Sequence, residues 1–332
     1  MDLQQTGERR TDEEDAGERS GDQAPAPLLL HVGLHKTGST WLQDNLFASP
    51  RHGFSQHEEP RHLLVERLVT PYSLSFDAEQ ARVVYWTAID DARRNGQTLA
   101  LSHERLSGYP SSGGHDRAMI AERLRKTFPE ARVLIVFREQ RSLIRSMYSQ
   151  HITDGGVESL ERFLNRPEPR LGRKPSFCLE QYEFDGMIGM YRELFGEDRV
   201  LGLPVELLGR DPQQFADRVM GFCGLPATEV GPVSRSNQRR PLLMQHVQRP
   251  LNMLFYHNEL SPGALVHVSR FHKRYARLRP LFDRLSPRFL ERRMEERLRS
   301  GIERHVGNHY AASNRRTAEL TGLPLQDFGY PL

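Results

Sequence analysis

The chain is poor in cysteine, in tryptophan and in long apolar runs. Of its 332 residues two are Cys and two are Trp, and acids and bases nearly balance at a net charge of +3. Two cysteines are too few for a disulfide framework or a cysteine-based metal site. No stretch approaches the ~20 apolar residues of a membrane-spanning helix, and the acidic N-terminus lacks the apolar core of a signal peptide. These absences favour a protein of the reducing cytoplasm.

What the chain has is a regular alternation of strand and helix patterns. Short apolar runs that predict buried strands occupy residues 28–33, 98–102, 132–137 and 199–205. Helical spacing of apolar residues predicts helices over 40–47, 78–94, 116–127, 142–151, 180–195 and 212–223. This alternation predicts an α/β fold with a parallel central sheet flanked by helices on both faces. Ligands of such sheets bind beyond the carboxyl ends of the strands.

The two ends of the chain differ from this middle part. Residues 1–26 are charged and end in Ala-Pro-Ala-Pro, which predicts a disordered tail before one domain over 27–332. Residues 242–310 are predicted to be helical, as a cap or an acceptor-side segment. Lys, Arg and His crowd residues 262–305, which indicates a solvated face or a surface for an anionic acceptor or a membrane. No motif of a nucleic-acid-binding module is present.

Residues 28–47 contain the most informative motif. An apolar run ends at Gly33, a loop rich in Gly, Lys, Ser and Thr follows, and helical spacing resumes at Thr40. Loop N–H groups and the start of a helix bind anions, because unpaired donors and the helix dipole point the same way. Lys36 adds a positive charge, and hydroxyl donors come from Thr37, Ser39 and Thr40. The motif predicts a site for a phosphorylated ligand.

The loop departs from the common nucleotide-binding pattern. That pattern places lysine directly after its second glycine, whereas here Ser39 follows Gly38 and the lysine is Lys36. The displaced lysine weighs against an ATPase. Two alternatives stay open: a P-loop nucleotide-dependent kinase, which would need a strand-end Asp for magnesium, and a non-catalytic phospholigand-binding protein.

A second anion site is predicted where strand 132–137 ends. Arg138 follows that strand, and Ser142 and Ser146 lie one helical turn apart on the predicted helix. The planar guanidinium binds phosphate with two donors, and a serine hydroxyl adds another. Two such sites on neighbouring strand ends indicate a ligand phosphorylated at two positions.

The chain resembles the sulfotransferases that use 3′-phosphoadenosine 5′-phosphosulfate (PAPS), particularly their bacterial members. His-Lys-Thr-Gly-Ser-Thr-Trp-Leu-Gln over 35–43 follows their 5′-phosphosulfate loop, and Arg138 with Ser146 keeps the eight-residue spacing of their 3′-phosphate signature. The resemblance implies a P-loop NTPase-like sulfotransferase fold. It implies PAPS as co-substrate without a metal, and an acceptor hydroxyl on a carbohydrate, a lipid-linked saccharide or a small metabolite.

The resemblance also implies roles for individual residues. Lys36 would contact the oxygen that joins phosphate to sulfur. The 5′-phosphate would be bound by Thr37, Gly38, Ser39 and Thr40, and the 3′-phosphate by Arg138 and Ser146. A base must accept the proton of the acceptor hydroxyl, and Ser102-His103-Glu104 after strand 98–102 offers two candidates. Either His103 or Glu104 fits, since the family uses both residue types. Trp41 is expected to pack in the core.

Overall fold

The computed structural model describes residues 26–110, 113–165, 177–232, 240–255, 266, 268 and 271–332. Apart from Ala26, the predicted tail over 1–26 lies outside these ranges. Ala26 is buried and its N–H donates to the Cys223 carbonyl at 2.9 Å. No helix among the described residues is long and apolar enough to cross a membrane.

The described residues form a five-stranded sheet in which every pair of neighbours is parallel. Its strands are β1 (Leu28–His31), β2 (Phe54–Ser55), β3 (Thr98–Ser102), β4 (Arg132–Phe137) and β5 (Val200–Pro204), in the order β2-β3-β1-β4-β5. The four predicted strands are confirmed, although β1 ends at His31 and β5 is shorter at both ends. The edge strand β2 was not predicted, because two residues are too short for a periodic signal.

Helices connect the strands and cover the sheet. They are α1 (Ser39–Trp41), α2 (His62–Leu68), α3 (Ala78–Arg94), α4 (Arg117–Thr127), α5 (Gln140–Thr153), α6 (Leu160–Leu164), α7 (Phe184–Phe195), α8 (Val205–Arg210), α9 (Pro212–Phe222), α10 (Leu242–Phe255), α11 (Phe271–Ala276), α12 (Arg279–Leu285), α13 (Arg288–Val306) and α14 (Ala311–Thr321). The described part of 242–310 is largely helical, as predicted.

Two predicted helices differ in detail. The segment predicted as one helix over 180–195 is a 3₁₀ turn, Glu180–Tyr182, followed by α7. Glu183 between them is extended (φ −78°, ψ 98°) and interrupts the helix. The helix predicted over 40–47 begins as α1 and continues as a π-helical turn, Leu42–Leu46. Such π turns are frequent at functional sites.

The core lies on both faces of the sheet. All four residues of β1 and all five of β3 are buried, as are five of the six residues of β4. Strands buried on both faces read as continuous apolar runs, which is why their pattern was visible in the sequence. Covering both faces leaves the strand ends as the places where polar side chains accumulate.

The C-terminal segment is fastened to the start of α5. The Tyr330 hydroxyl donates to Glu206 Oε2 at 2.9 Å, and Glu206 Oε1 accepts the N–H of Glu139 at 3.1 Å. Asn314 Nδ2 donates to the Pro331 carbonyl at 2.9 Å. Burial raises the pKa of both the Glu206 carboxyl and the Tyr330 phenol. Residues far apart in the chain therefore fix the backbone just after β4.

Tyr330→Phe is expected to lower the free energy of unfolding by about 1–3 kcal/mol, because a buried carboxylate oxygen loses its donor. Denaturant unfolding followed by circular dichroism measures this change. Tyr72→Phe is the control: its ring is 73% exposed, and its unfolding free energy should match that of the unaltered chain. An equal stability for Tyr330→Phe would contradict the assigned hydrogen bond.

Candidate functional site

The loop between β1 and α1 has an unusual backbone. Gly38 adopts φ +83°, and Lys36 adopts φ +66°, which is the only positive φ of a non-glycine residue in the described chain. A Cβ on Gly38 would also lie 3.1 Å from Leu208 Cδ2 and 3.2 Å from Val205 Cγ2. The left-handed conformation of Lys36 is costly and persists where surrounding structure imposes it. The loop is thus held in a fixed shape against α8.

Donors in this loop lack acceptors. The backbone N–H groups of His35, Lys36 and Gly38 form no hydrogen bond within the described residues. In the same part of the chain, Ser39 Oγ and His35 Nε2 are buried without a partner. Buried donors are normally satisfied, and unpaired N–H groups at a helix N-terminus suit an anion. These atoms are available to bind an anion.

The hydroxyl groups of the loop differ in burial and in hydrogen bonding. The Thr37 side chain is fully buried, and its Oγ1 donates to the Leu34 carbonyl at 2.5 Å. It therefore shapes the loop from inside, which leaves Ser39 and the exposed Thr40 as the hydroxyl donors for a ligand.

The charge of Lys36 lies among both acids and bases. Its side chain is exposed, but lost hydration lowers the pKa of the ammonium, with Arg138 and Arg240 acting in the same direction. Asp154 and Glu104 oppose that effect. Lys36 thus lies near two acids and two arginines, whose effects on its pKa oppose each other.

The second predicted anion site adjoins the loop. Arg138 donates from Nε (3.1 Å) and Nη2 (2.7 Å) to Ser142 Oγ, and from Nη1 to the Lys36 carbonyl at 3.2 Å. Ser146, one turn along α5, forms no side-chain hydrogen bond among the described residues. The structure thus brings Arg138 against the loop, a contact between residues 102 positions apart.

The end of β3 places His103 and Glu104 at the same edge. His103 begins the 3₁₀ turn Glu104–Ser107, and its Nδ1 accepts the N–H of Arg105 at 3.1 Å. In the neutral ring this hydrogen bond assigns the proton to Nε2. Burial also lowers the pKa of His103, although Glu104 opposes the effect. Nδ1, the nitrogen of the neutral ring that could take a proton, therefore already accepts the hydrogen bond from Arg105.

Glu104 is a carboxylate surrounded by imidazoles. Burial alone would raise the pKa of its carboxyl, but its own backbone amide and the nearby His103, His35 and His31 together hold that pKa below its usual value. Glu104 is therefore ionised at neutral pH. Burial also lowers the pKa of His35 to about 4, so that this ring is neutral beside it.

His31 is a site residue that the sequence reasoning missed. Its Nδ1 is hydrogen-bonded to Ser102 Oγ at 2.7 Å, and Gln43 Nε2 donates to the same hydroxyl at 2.9 Å. Burial lowers the pKa of His31 to about 4. A Cβ on Gly33 would approach His31 Nε2 to 2.4 Å, so only glycine lets the loop fold over this ring. The sequence signal that could have indicated His31 is its position as the one polar residue of β1, after three leucines.

A small cleft lies beside His35. Its wall includes Leu34 and His35 from the loop, Met147 from α5, and Tyr182 and Arg117. Arg117 Nε donates to the Ser107 carbonyl at 2.9 Å. Trp41 is not part of this wall; it is buried in the core, as predicted. Among the described residues, no three His, Cys, Asp or Glu side chains come together as a metal site.

The fold and site together define an α/β protein with a loop of unpaired donors after β1 and a neighbouring cation, Arg138, after β4. The profile of the sulfotransferase family matches residues 27–229. The chain therefore belongs to the sulfotransferase family.

Solved structures similar to this chain include two sulfotransferases. A sulfotransferase from Alicyclobacillus acidocaldarius is 19% identical, with a TM-score of 0.44, over 69% of this chain and 92% of that one. The sulfotransferase domain from the curacin biosynthetic pathway is 13% identical, with a TM-score of 0.37, over 82% and 97%. No curated protein matches the chain significantly.

Proposed function

We propose that this sulfotransferase moves a sulfuryl group from PAPS to a hydroxyl of a carbohydrate or small metabolite. The observation that carries the proposal is the loop after β1, where the backbone N–H groups of His35, Lys36 and Gly38 have no acceptor in the part of the chain that the structure describes. Family membership supplies the class of reaction. The loop chemistry supplies the reason for a phosphate-bearing donor.

The two anion sites match the two phosphates of this donor. Backbone N–H groups of the loop, with Ser39 and Thr40, would bind the 5′-phosphate. Arg138 and Ser146 would bind the 3′-phosphate, with Ser142 holding the guanidinium in place. Because Arg138 also contacts the Lys36 carbonyl, one rigid unit would orient both ends of the nucleotide.

In the transfer the S–O bond to the 5′-phosphate breaks while an S–O bond to the acceptor oxygen forms. Negative charge develops on the departing phosphate oxygen. Lys36 and the unpaired N–H groups would stabilise that charge without rearranging, which is where fixed dipoles and charges are most effective. The product, adenosine 3′,5′-bisphosphate, retains both phosphates, so the same protein groups would bind it.

Glu104 is the better candidate for the base. It is ionised, and it would take the proton that the acceptor hydroxyl loses as the new S–O bond forms. His103 presents Nε2–H when neutral, because Nδ1 accepts the Arg105 N–H. His103 would therefore act as a hydrogen-bond donor and as a cap for the turn that carries Glu104.

The acceptor would enter by the cleft beside His35, whose wall combines apolar and polar side chains.

We also propose a cytoplasmic location, because Cys178 and Cys223 are free thiols.

The test is a thermal-shift comparison of nucleotides. Adenosine 3′,5′-bisphosphate is expected to raise Tm by more than AMP or ATP does at the same concentration, because it alone fills both anion sites. Arg138→Ala is expected to remove the preference for the 3′-phosphate over AMP, with a folded chain as judged by circular dichroism. Arg218→Ala, an exposed arginine on α9, is the control and should keep that preference.

Equal shifts for the three nucleotides would contradict the proposed donor. A preference for ATP that requires magnesium would indicate a kinase instead. A shift by the bisphosphate without any sulfate incorporation from PAPS into a broad acceptor panel would indicate a phospholigand-binding protein.

A further inference from the structure

The helices after α10 carry a surface that the proposed reaction does not use. We call residues 271–293 the basic apolar surface; they contain eight Lys or Arg and two Asp or Glu. The sequence interpretation left its role open between a solvated face and an anionic partner. The exposed side chains of this surface favour an anionic partner over a merely solvated face.

Large apolar side chains on this surface point into solvent. Leu278, Leu281, Leu285 and Phe289 are 44%, 51%, 62% and 73% exposed, respectively. Leu281 and Leu285 are four residues apart on α12 and therefore share one face. Single exposed leucines are ordinary, but a row of apolar side chains on consecutive turns marks an interaction site.

The inner side of the same helices is firmly packed. Tyr275 is buried, its hydroxyl donates to the Met244 carbonyl at 2.7 Å, and its ring lies 6.0 Å from that of Phe282. Glu291 accepts the N–H groups of Leu242 and Leu243 at 2.8 and 3.0 Å. The helices are thus anchored on α10, and the leucine row is exposed because it faces away from this anchor.

The charges within the basic apolar surface are mostly positive. Lys273, Arg274, Arg277, Arg284 and Arg288 are exposed. Of the two acids, Glu291 caps α10, and Asp283 pairs with Arg279 at 3.5 Å. No acid of the surface remains to balance the exposed cations. Apolar side chains bordered by Lys and Arg are the composition of helices that lie in a membrane interface.

We propose that the basic apolar surface binds the surface of an anionic lipid bilayer, with Leu281, Leu285 and Phe289 entering the headgroup boundary. Cations beside it attract the negative surface potential. A second copy of the chain fits less well, because a two-fold contact would place this cationic patch against itself. This inference does not depend on the proposed function.

Arg240, two residues before α10, interacts electrostatically with Lys36 in the loop after β1 and with Tyr275 and Arg279 of the basic apolar surface.

The experiment is co-sedimentation of the full chain with two kinds of vesicle, pure phosphatidylcholine and a phosphatidylcholine–phosphatidylglycerol mixture. Binding is expected at least about tenfold tighter to the mixture, and weaker at high salt. Leu281→Ser/Leu285→Ser and Arg277→Glu/Arg284→Glu/Arg288→Glu are each expected to lose about tenfold or more of that affinity.

Matched controls use exposed residues elsewhere. Leu74→Ser, at a leucine 88% exposed, and Arg51→Glu/Arg210→Glu/Arg218→Glu should bind like the unaltered chain. Melting temperature and far-UV circular dichroism show that each variant is folded. Equal binding to both vesicles, or equal losses in the control variants, would overturn the proposal. So would a concentration-dependent dimer that Leu281→Ser/Leu285→Ser abolishes while vesicles bind nothing.

Discussion

Glu104→Gln is expected to lower kcat by about 10²–10⁴-fold, while adenosine 3′,5′-bisphosphate still binds. The amide keeps the size and polarity of the carboxylate but cannot take the acceptor proton. The rate is measured as sulfate transfer from labelled PAPS, and binding by calorimetry. Burial lowers the pKa values of His35 and His31 to about 4, so these two rings are weaker bases than an ordinary histidine.

His103→Asn is the matched control. The asparagine oxygen can accept the N–H of Arg105 as His103 Nδ1 does, so the turn stays capped while the titrating ring is removed. We expect a change of only a few-fold in kcat, since His103 is assigned no proton transfer. If His103→Asn lost as much activity as Glu104→Gln, the assignment of the base would be wrong.

The pH profile gives an independent reading. The folded pKa of Glu104 lies below its usual value of 4.5, and a base acts only when ionised. The rate should therefore fall as pH decreases through that low pKa and should not depend on this group at neutral pH. The acid limb should persist in His103→Asn and disappear from the residual activity of Glu104→Gln.

Lys36→Met is expected to lower kcat by about 10²–10³-fold, the usual loss for one preorganised electrostatic group. Methionine preserves much of the side-chain length but carries no charge for the departing phosphate oxygen. A role in the transition state predicts that kcat falls. A role in ground-state binding alone predicts a higher KM for PAPS with kcat unchanged.

Lys126→Met is the control for this substitution, because Lys126 is exposed at the end of α4 and outside both anion sites. It should retain kcat and KM. Lys36→Arg separates charge from shape: it keeps the charge at a position of φ +66°, and we expect it to recover part of the rate. A full rate for Lys36→Met would remove Lys36 from the reaction.

Much of the fold was predictable because a parallel sheet covered on both faces needs apolar strands. The patterns over 98–102 and 132–137 coincide with β3 and β4 residue for residue. β2 escaped prediction because its two residues, Phe54 and Ser55, carry no period. The break before α7 escaped because Glu183 is compatible with a helix locally and is extended only through its tertiary surroundings.

The candidate site was predictable in composition and not in arrangement. The loop residues and Arg138 followed from motifs, since strand ends and glycine-rich turns are local features. The hydrogen bond from Arg138 to the Lys36 carbonyl joins two segments 102 residues apart, and no local pattern contains it. The same holds for His31, whose ring is placed by Ser102 and Gln43.

The sequence by itself determined the strand–loop–helix unit, the displacement of Lys36 from the common nucleotide position, and the residues that follow each buried strand. These are properties of neighbouring residues, governed by apolar periodicity and by the conformational freedom of glycine. Only the tertiary structure favours Glu104 over His103 as the proposed base, because that preference depends on which nitrogen of His103 meets the Arg105 amide and on the imidazoles near Glu104. It also decided that the leucines of α12 face outward, since anchoring by Tyr275 and Glu291 fixes which side of that helix meets solvent.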